Sequence, residues 1–174
     1  MGAALILSLA LAAASLPRST PNLGIAEGHC RPDEPGPAFL VTLTGLKDRA
    51  GLARVELYPA NDDDFLADDN ILIGHGKMFR RAEIKVPEAG PVEICIRAPA
   101  PGTYALSILH DRDGNRKFGL STDGIGFPGN PRLGWRKPHA EQAMARVGTG
   151  ITRISVRMNY RRGLLSFGPI GGKP

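Results

Sequence analysis

GTYALSILHDRDGNRKFGLSTDGIGFPGNPRLG, Gly102 to Gly134, is the stretch from which the rest of the chain is read. Thr103 to Leu109 is an unbroken run of β-compatible residues and predicts a strand. At His110-Asp111 the run gives way to a loop with oxygen-bearing side chains at Asp111, Asp113 and Asn115. Glycine and proline then punctuate the chain as far as Trp135, its single tryptophan. A strand that delivers a polar loop of this length is built to hold something, or is itself held in place.

Outward from this stretch, strands continue in both directions. Phe39–Gly45 ends in a glycine turn. Leu52–Tyr58 alternates, with Val55 and Leu57 on one face and Arg54, Glu56 and Tyr58 on the other. Met78–Val86 repeats the pattern with Ala82, Ile84 and Val86 inward, and Val92–Arg97 does so with Val92, Ile94 and Ile96. In Ile151–Tyr160 the apolar face is Ile154, Val156, Met158 and Tyr160. A period of two marks a half-buried strand. Between these strands, Pro59–Asn70 carries five aspartates around Phe65-Leu66. Spacing and turn glycines for Ca²⁺ are missing there, which leaves a solvated loop with Phe65-Leu66 tucked beneath it. Only Pro138–Val147 has the composition for a turn or two of helix. The prediction is therefore all-β: a single antiparallel β-sandwich of about seven strands, with a long loop excursion between the last two. A small closed barrel has the same strand period and is the alternative.

The N-terminus points to a compartment. Ala3–Ala14 is apolar but shorter than the about 20 residues a bilayer requires. It is followed by small residues suited to cleavage after Ala14 or Ala26, so residues 1–26 read as a signal peptide and leader. Residues 27–162 are then the sandwich, and 163–174 a flexible tail. The two cysteines, Cys30 and Cys95, predict one disulfide in an exported chain. Cys95 shares the outer strand face with Glu93 and Arg97, so the bridge would pin the N-terminal segment across the outside of a sheet. No transmembrane segment is read, and the protein is expected to be periplasmic or extracellular.

The charge is uneven. Of 22 Lys and Arg and 17 Asp and Glu, 12 basic but only 4 acidic residues lie from His110 onward. Such a half suits an anionic glycan or another envelope component. Nucleic acid is excluded by compartment and because aromatics do not interleave with the basic residues. Oligomeric state is not encoded in any pattern here.

GTYALSILHDRDGN, preceded by APAPG, resembles the GxYAxxxxHDxNxNGK signature of an exported bacterial family, domain of unknown function 2141. Further matches lie at ARVELY with Phe65-Leu66 and at GIGFPGN, so the resemblance spans about Phe39 to Tyr160. It implies a β-sandwich like prealbumin-like or carboxypeptidase-regulatory modules, and no established activity. Two departures stand out: Arg116 where the family has glycine, and Gly119 where it has aspartate.

Those departures bear on chemistry. Asp111, Asp113 and Asn115 occupy places one, three and five of a calcium-loop spacing, and the Lys117 carbonyl would stand at the seventh. Place six is Arg116, place nine Gly119 and place twelve Thr122, with Asp123 one residue late. This ligand set is short for Ca²⁺, so no cofactor is expected; Asp111 and Asn115 are expected instead to accept loop amides and anchor the excursion. His110 shares its face with Tyr104, Leu106 and Ile108, as a bracing histidine would. Phe127 and Trp135, with nearby prolines, are candidates to face a sugar ring or an extended peptide. Arg112 and Arg132 are candidates to hold an anionic group. The leading expectation is an exported, non-catalytic binding or accessory module working through the 110–136 loops. The alternatives are an assembly domain using an exposed strand edge and a small hydrolase using His110 and Asp111. No serine elbow, nucleotide loop or metal-ligand triad supports the last.

Overall fold

A computed structural model describes residues 16–134, 136–164 and 166–171. The apolar run of the expected signal peptide, residues 3–14, lies outside these, as does Trp135. Among the described residues the structure is all-β, as predicted, with ten strands rather than about seven, in two sheets. These are β1 (Ala38–Thr44), β2 (Leu52–Pro59), β3 (Arg80–Lys85), β4 (Val92–Arg97), β5 (Gly102–Asp111), β6 (Gly124–Gly126), β7 (Met144–Val147), β8 (Ile151–Arg157), β9 (Asn159–Arg161) and β10 (Phe167–Gly168). The smaller sheet has the order β4-β1-β8, and the larger β10-β9-β6-β5-β2-β3 with β7 also on β5. Every pairing is antiparallel except β1 with β8, which run parallel.

The alternation read from sequence fills the space between the sheets. Phe39, Val41, Val55, Leu57, Ile94, Ile96, Leu106, Ile108, Val156 and Met158 are all buried in one cluster, with Ile154 partly covered at its margin. The predicted single strand Ile151–Tyr160 divides at Met158. β8 belongs to the smaller sheet and β9 to the larger, with the Met158 amide donating to Thr44 O across the corner at 2.9 Å. One apolar stripe thus serves both sheets, which is how a sandwich closes a corner.

Three other expectations are corrected. β5 runs through His110 and Asp111, because β2 pairs with it as far as Leu52↔Asp111. The excursion after β5 is not loop throughout: β6 pairs with residues 108–110 of β5, and β7 with 102–105, on the edge that β2 leaves free. Pro138–Val147 holds a single 3₁₀ turn at Ala140–Ala143, within the one or two turns expected, and then β7, but it is not the only helical stretch: α1 (Ile25–Gly28) and α2 (Asp69–Gly74) are α-helical. The terminal segment returns, since Phe167–Gly168 pairs with β9 and Arg162 N donates to Ser166 O. Upstream of residue 27, Gly24 O accepts from Arg81 N at 2.9 Å.

Cys30 and Cys95 are paired at disulfide distance, with Cα atoms 5.9 Å apart. His29 bridges to Ile96 on the free edge of β4 and α1 (Ile25–Gly28) packs against β3, so the bond ties the N-terminal segment along the edges of both sheets rather than across the outside of one. No helix among the described residues is long and apolar enough to cross a membrane.

The outer face of the larger sheet is covered, which alternation alone does not reveal. Tyr58, Phe65, Leu72, Phe79, Ala105, Phe127, Ala140 and Ala143 form a second core there. Tyr58 stands edge-on to Phe65 and Phe79, and Phe65 edge-on to Phe127, with centroids 5.3–5.9 Å apart. Aromatic pairs favour this geometry.

Candidate functional site

At the end of β5 the backbone runs into the organising loop. His110 is fully enclosed. Its Nε2 lies 2.9 Å from Ala50 O and its Nδ1 2.6 Å from the Tyr160 hydroxyl, which itself accepts from Lys47 N at 3.0 Å. These contacts fix the tautomer: Nε2–H donates to the carbonyl and Nδ1 accepts from Tyr160. Burial, ahead of any neighbouring charge, lowers the His110 pKa and pushes Tyr160 up to about 12. A histidine with no exposed edge and both nitrogens engaged braces the fold, and the His110–Asp111 hydrolase arrangement has no access to substrate. Gly51 shows how tight this corner is: it has φ 71, and a Cβ there would stand 2.0 Å from Asp111 O.

This histidine makes stability depend on pH. Its folded pKa lies below the unfolded value, so the unfolded chain binds more protons across that window. The stabilisation is fully present above about pH 6.5 and is lost as pH falls through the folded pKa. Urea unfolding at pH 7 and pH 5 should therefore show a larger drop for the wild type than for His110→Gln. Equal drops would show that His110 does not carry the dependence.

Asp111 is fully buried, and its Oδ2 accepts from Arg116 N at 2.7 Å. Asp113 Oδ1 accepts from Asn115 N at 3.1 Å, and Asn115 Oδ1 from Lys117 N at 2.7 Å. Asp111 and Asn115 thus both accept loop amides, in the manner anticipated. Arg112 is not free to hold a ligand: its guanidinium pairs with Asp48 and donates to Thr122 O at 2.8 Å. That pairing holds the Asp48 carboxyl below its usual range. Sequence reasoning gave Asp123 only a marginal place. It is buried, accepts from Arg112 N at 3.0 Å and from Gly119 N at 2.7 Å, and closes the loop on itself.

Beyond the loop, the chain builds a cleft of about 490 Å³ on the outer face of the larger sheet. Its walls are Phe118, Leu120, Ile125, Leu133, Leu164 and Phe167, and Phe127 closes one end from the second core. Arg54, Glu56 and Ser107 line its polar floor, and Arg136, Lys137 and Arg161 stand around it. Arg54 pairs with Glu83 at 3.2 Å, and Glu56 accepts from Tyr58, Arg81 and Ser107, so charges in the floor are internally compensated. Lys137 and Arg161 by contrast donate to carbonyls, of Asp62 and Phe65 and of Gly163 and Leu164, which leaves their charge uncancelled by those contacts. The predicted site residues therefore divide. Phe127 reaches the cleft; His110 and Asp111 end β5, and Asp113 and Asn115 lie in the loop that follows, none of the four lining the cleft; Arg132 is exposed and does not line it either.

Residues 41–155 match a bacterial family described as an uncharacterized protein conserved in bacteria, domain of unknown function 2141. No curated protein and no solved structure matches the chain, so the likeness to prealbumin-like and carboxypeptidase-regulatory modules gains no support from them. With the match covering most of the β-sandwich, the chain belongs to the domain of unknown function 2141 family.

Proposed function

We propose that this domain is an exported, non-catalytic binding module of the cell envelope, and that its ligand is an amphipathic anion seated in the cleft of the larger sheet. One observation carries this reading: apolar walls over a compensated polar floor, with a basic rim. The volume falls within the range of small-molecule sites. Phe118, Leu120 and Leu164 are exposed large apolar side chains that converge on this one feature. Covering them with an acyl or isoprenoid body contributes about 25 cal/mol per Å² buried. Arg136, Lys137 and Arg161 would meet the carboxylate or phosphate head. Export is supported by the signal-like N-terminal sequence and the paired cysteines. An anionic glycan is less well matched, because Phe127 is buried edge-on to Phe65 and offers no open ring face.

Calorimetric titration with decanoate, with 1-decanol and with a sulfated oligosaccharide tests the reading. Saturable one-to-one binding of decanoate is expected, weakened about tenfold by either Arg136→Glu or Arg161→Glu. Decanol binding should be insensitive to both changes. Binding of the oligosaccharide alone, or of no probe, would overturn it.

A further inference from the structure

Among the described residues, one oxygen from each of Asp111, Asp113 and Asp123 lies within 4.8 Å of the other two. A second, independent feature singles this cluster out. Asp111 Oδ1 is the buried side-chain oxygen without a hydrogen-bond partner among the described residues, on a residue with no exposed surface. A buried carboxylate oxygen with no donor is held at a penalty unless something else meets it. The nearby cations are engaged elsewhere. Arg112 is occupied by Asp48 and Thr122, and the Arg116 guanidinium lies 3.0 Å from Glu83 Oε1.

We propose that Asp111, Asp113 and Asp123 bind one Ca²⁺ ion. All three donors are hard oxygens, and three carboxylates in one cluster suit Ca²⁺ better than Mg²⁺, which is commonly held by one or two and keeps its waters. Two oxygens on opposite sides of a Ca²⁺ stand about 5 Å apart at ordinary bond lengths, which the 4.8 Å convergence allows. Exposed Asp113 leaves one side of the ion open to water. The ligand set departs from the linear 1-3-5 pattern by bringing Asp123 in beside Asp111 and Asp113, and a carboxylate oxygen that accepts one amide keeps a second lone pair for the ion. Nor does Arg116 obstruct. It adopts the left-handed conformation, φ 63, that a glycine would take at the sixth place, and its side chain turns away to Glu83.

The test uses metal-stripped full-length protein titrated with CaCl₂ by calorimetry, with thermal melts in Ca²⁺, Mg²⁺ and EDTA. Saturable one-to-one Ca²⁺ binding below about 1 mM is expected. At a hundredfold excess over Kd the melting temperature should rise by about 5 °C or more. Asp113→Asn removes a charge from an exposed position, keeps an acceptor for Asn115 N and relieves repulsion in the empty cluster, so it should melt no lower than the wild type in EDTA yet lose both responses. Asp123→Asn should weaken binding at least tenfold. Absence of heat and of a melting shift at 10 mM Ca²⁺, or an unchanged response in Asp113→Asn, would overturn the assignment. Neither readout depends on any ligand in the cleft.

Discussion

Arg81→Met is expected to destabilise the domain by about 3–5 kcal/mol in urea unfolding, the range for breaking a buried ion pair from one side. Arg81 is buried on the outer face of β3. Its guanidinium meets Glu56 at 2.8 Å and Asp69 at 3.2 Å, donates to Thr20 O at 3.1 Å, and lies 5.0 Å from the Phe79 ring centroid. Removing it leaves two carboxylates with little exposure and one cation fewer, and frees the segment before α1. The loss should persist at high salt, because buried pairs are screened far less than exposed ones. Adding Glu56→Gln and Asp69→Asn should recover part of it, since the uncompensated charge rather than the missing contact dominates. A loss under about 1 kcal/mol would mean the network is open to water.

The same network explains what the sequence does and does not disclose. Val55, Leu57, Ile94, Ile96, Val156 and Met158 alternate in sequence, and all are buried between the sheets. Period two says which side chains share a face, and for these the apolar face is the core. It does not say what covers the other face. Arg54, Glu56 and Arg81 look like solvent-facing positions, yet Arg54 and Arg81 are buried: Arg81 is held by Asp69 of α2 and by carbonyls of the segment before α1, and Arg54 by Glu83. That cover depends on contacts far apart in sequence, such as Phe65 with Phe127, which no local pattern encodes. Short strands were missed for a related reason. Gly124–Gly126 has no side-chain signature of a strand, and it pairs with β5 because glycine lets it approach: a Cβ on Gly126 would stand 2.7 Å from Val156 Cγ1.

The loop was more legible. Spacing picked out Asp111, Asp113 and Asn115, and alternation placed His110 inward, where it is enclosed. A linear calcium-loop count puts Asp123 one place late. In three dimensions the count is irrelevant: the Asp123 amide donates to Gly119 O, and the turn swings its carboxylate back to the start of the loop. The cleft was not legible at all, since its walls come from the segment before β6, the stretch before the 3₁₀ turn and the C-terminal return.

Replacing both Cys30 and Cys95 with serine is expected to lower stability by about 4 kcal/mol, from the chain entropy of a closed loop of this length. The two cysteines are 65 residues apart, so the cross-link removes a large set of open conformations from the unfolded chain. Other contacts already hold the strap: Arg97 donates to Glu34 O at 3.0 Å and to Pro35 O at 2.8 Å, and Gly28 packs against the Arg81 carbonyl. The folded structure should therefore survive the substitution, and the effect should fall mainly on the unfolded state. The denaturant midpoint should drop, and the unfolding slope should rise modestly as a less compact denatured chain exposes more surface. Hydrogen exchange separates this from a local role: protection of residues 92–97 and 25–36 should fall together if the bond acts globally. If only 25–36 lose protection and the midpoint moves by less than about 1 kcal/mol equivalent, the bond merely fastens the strap. Dependence on the bond at the expected magnitude would make the reduced protein marginal in a cytosolic redox environment.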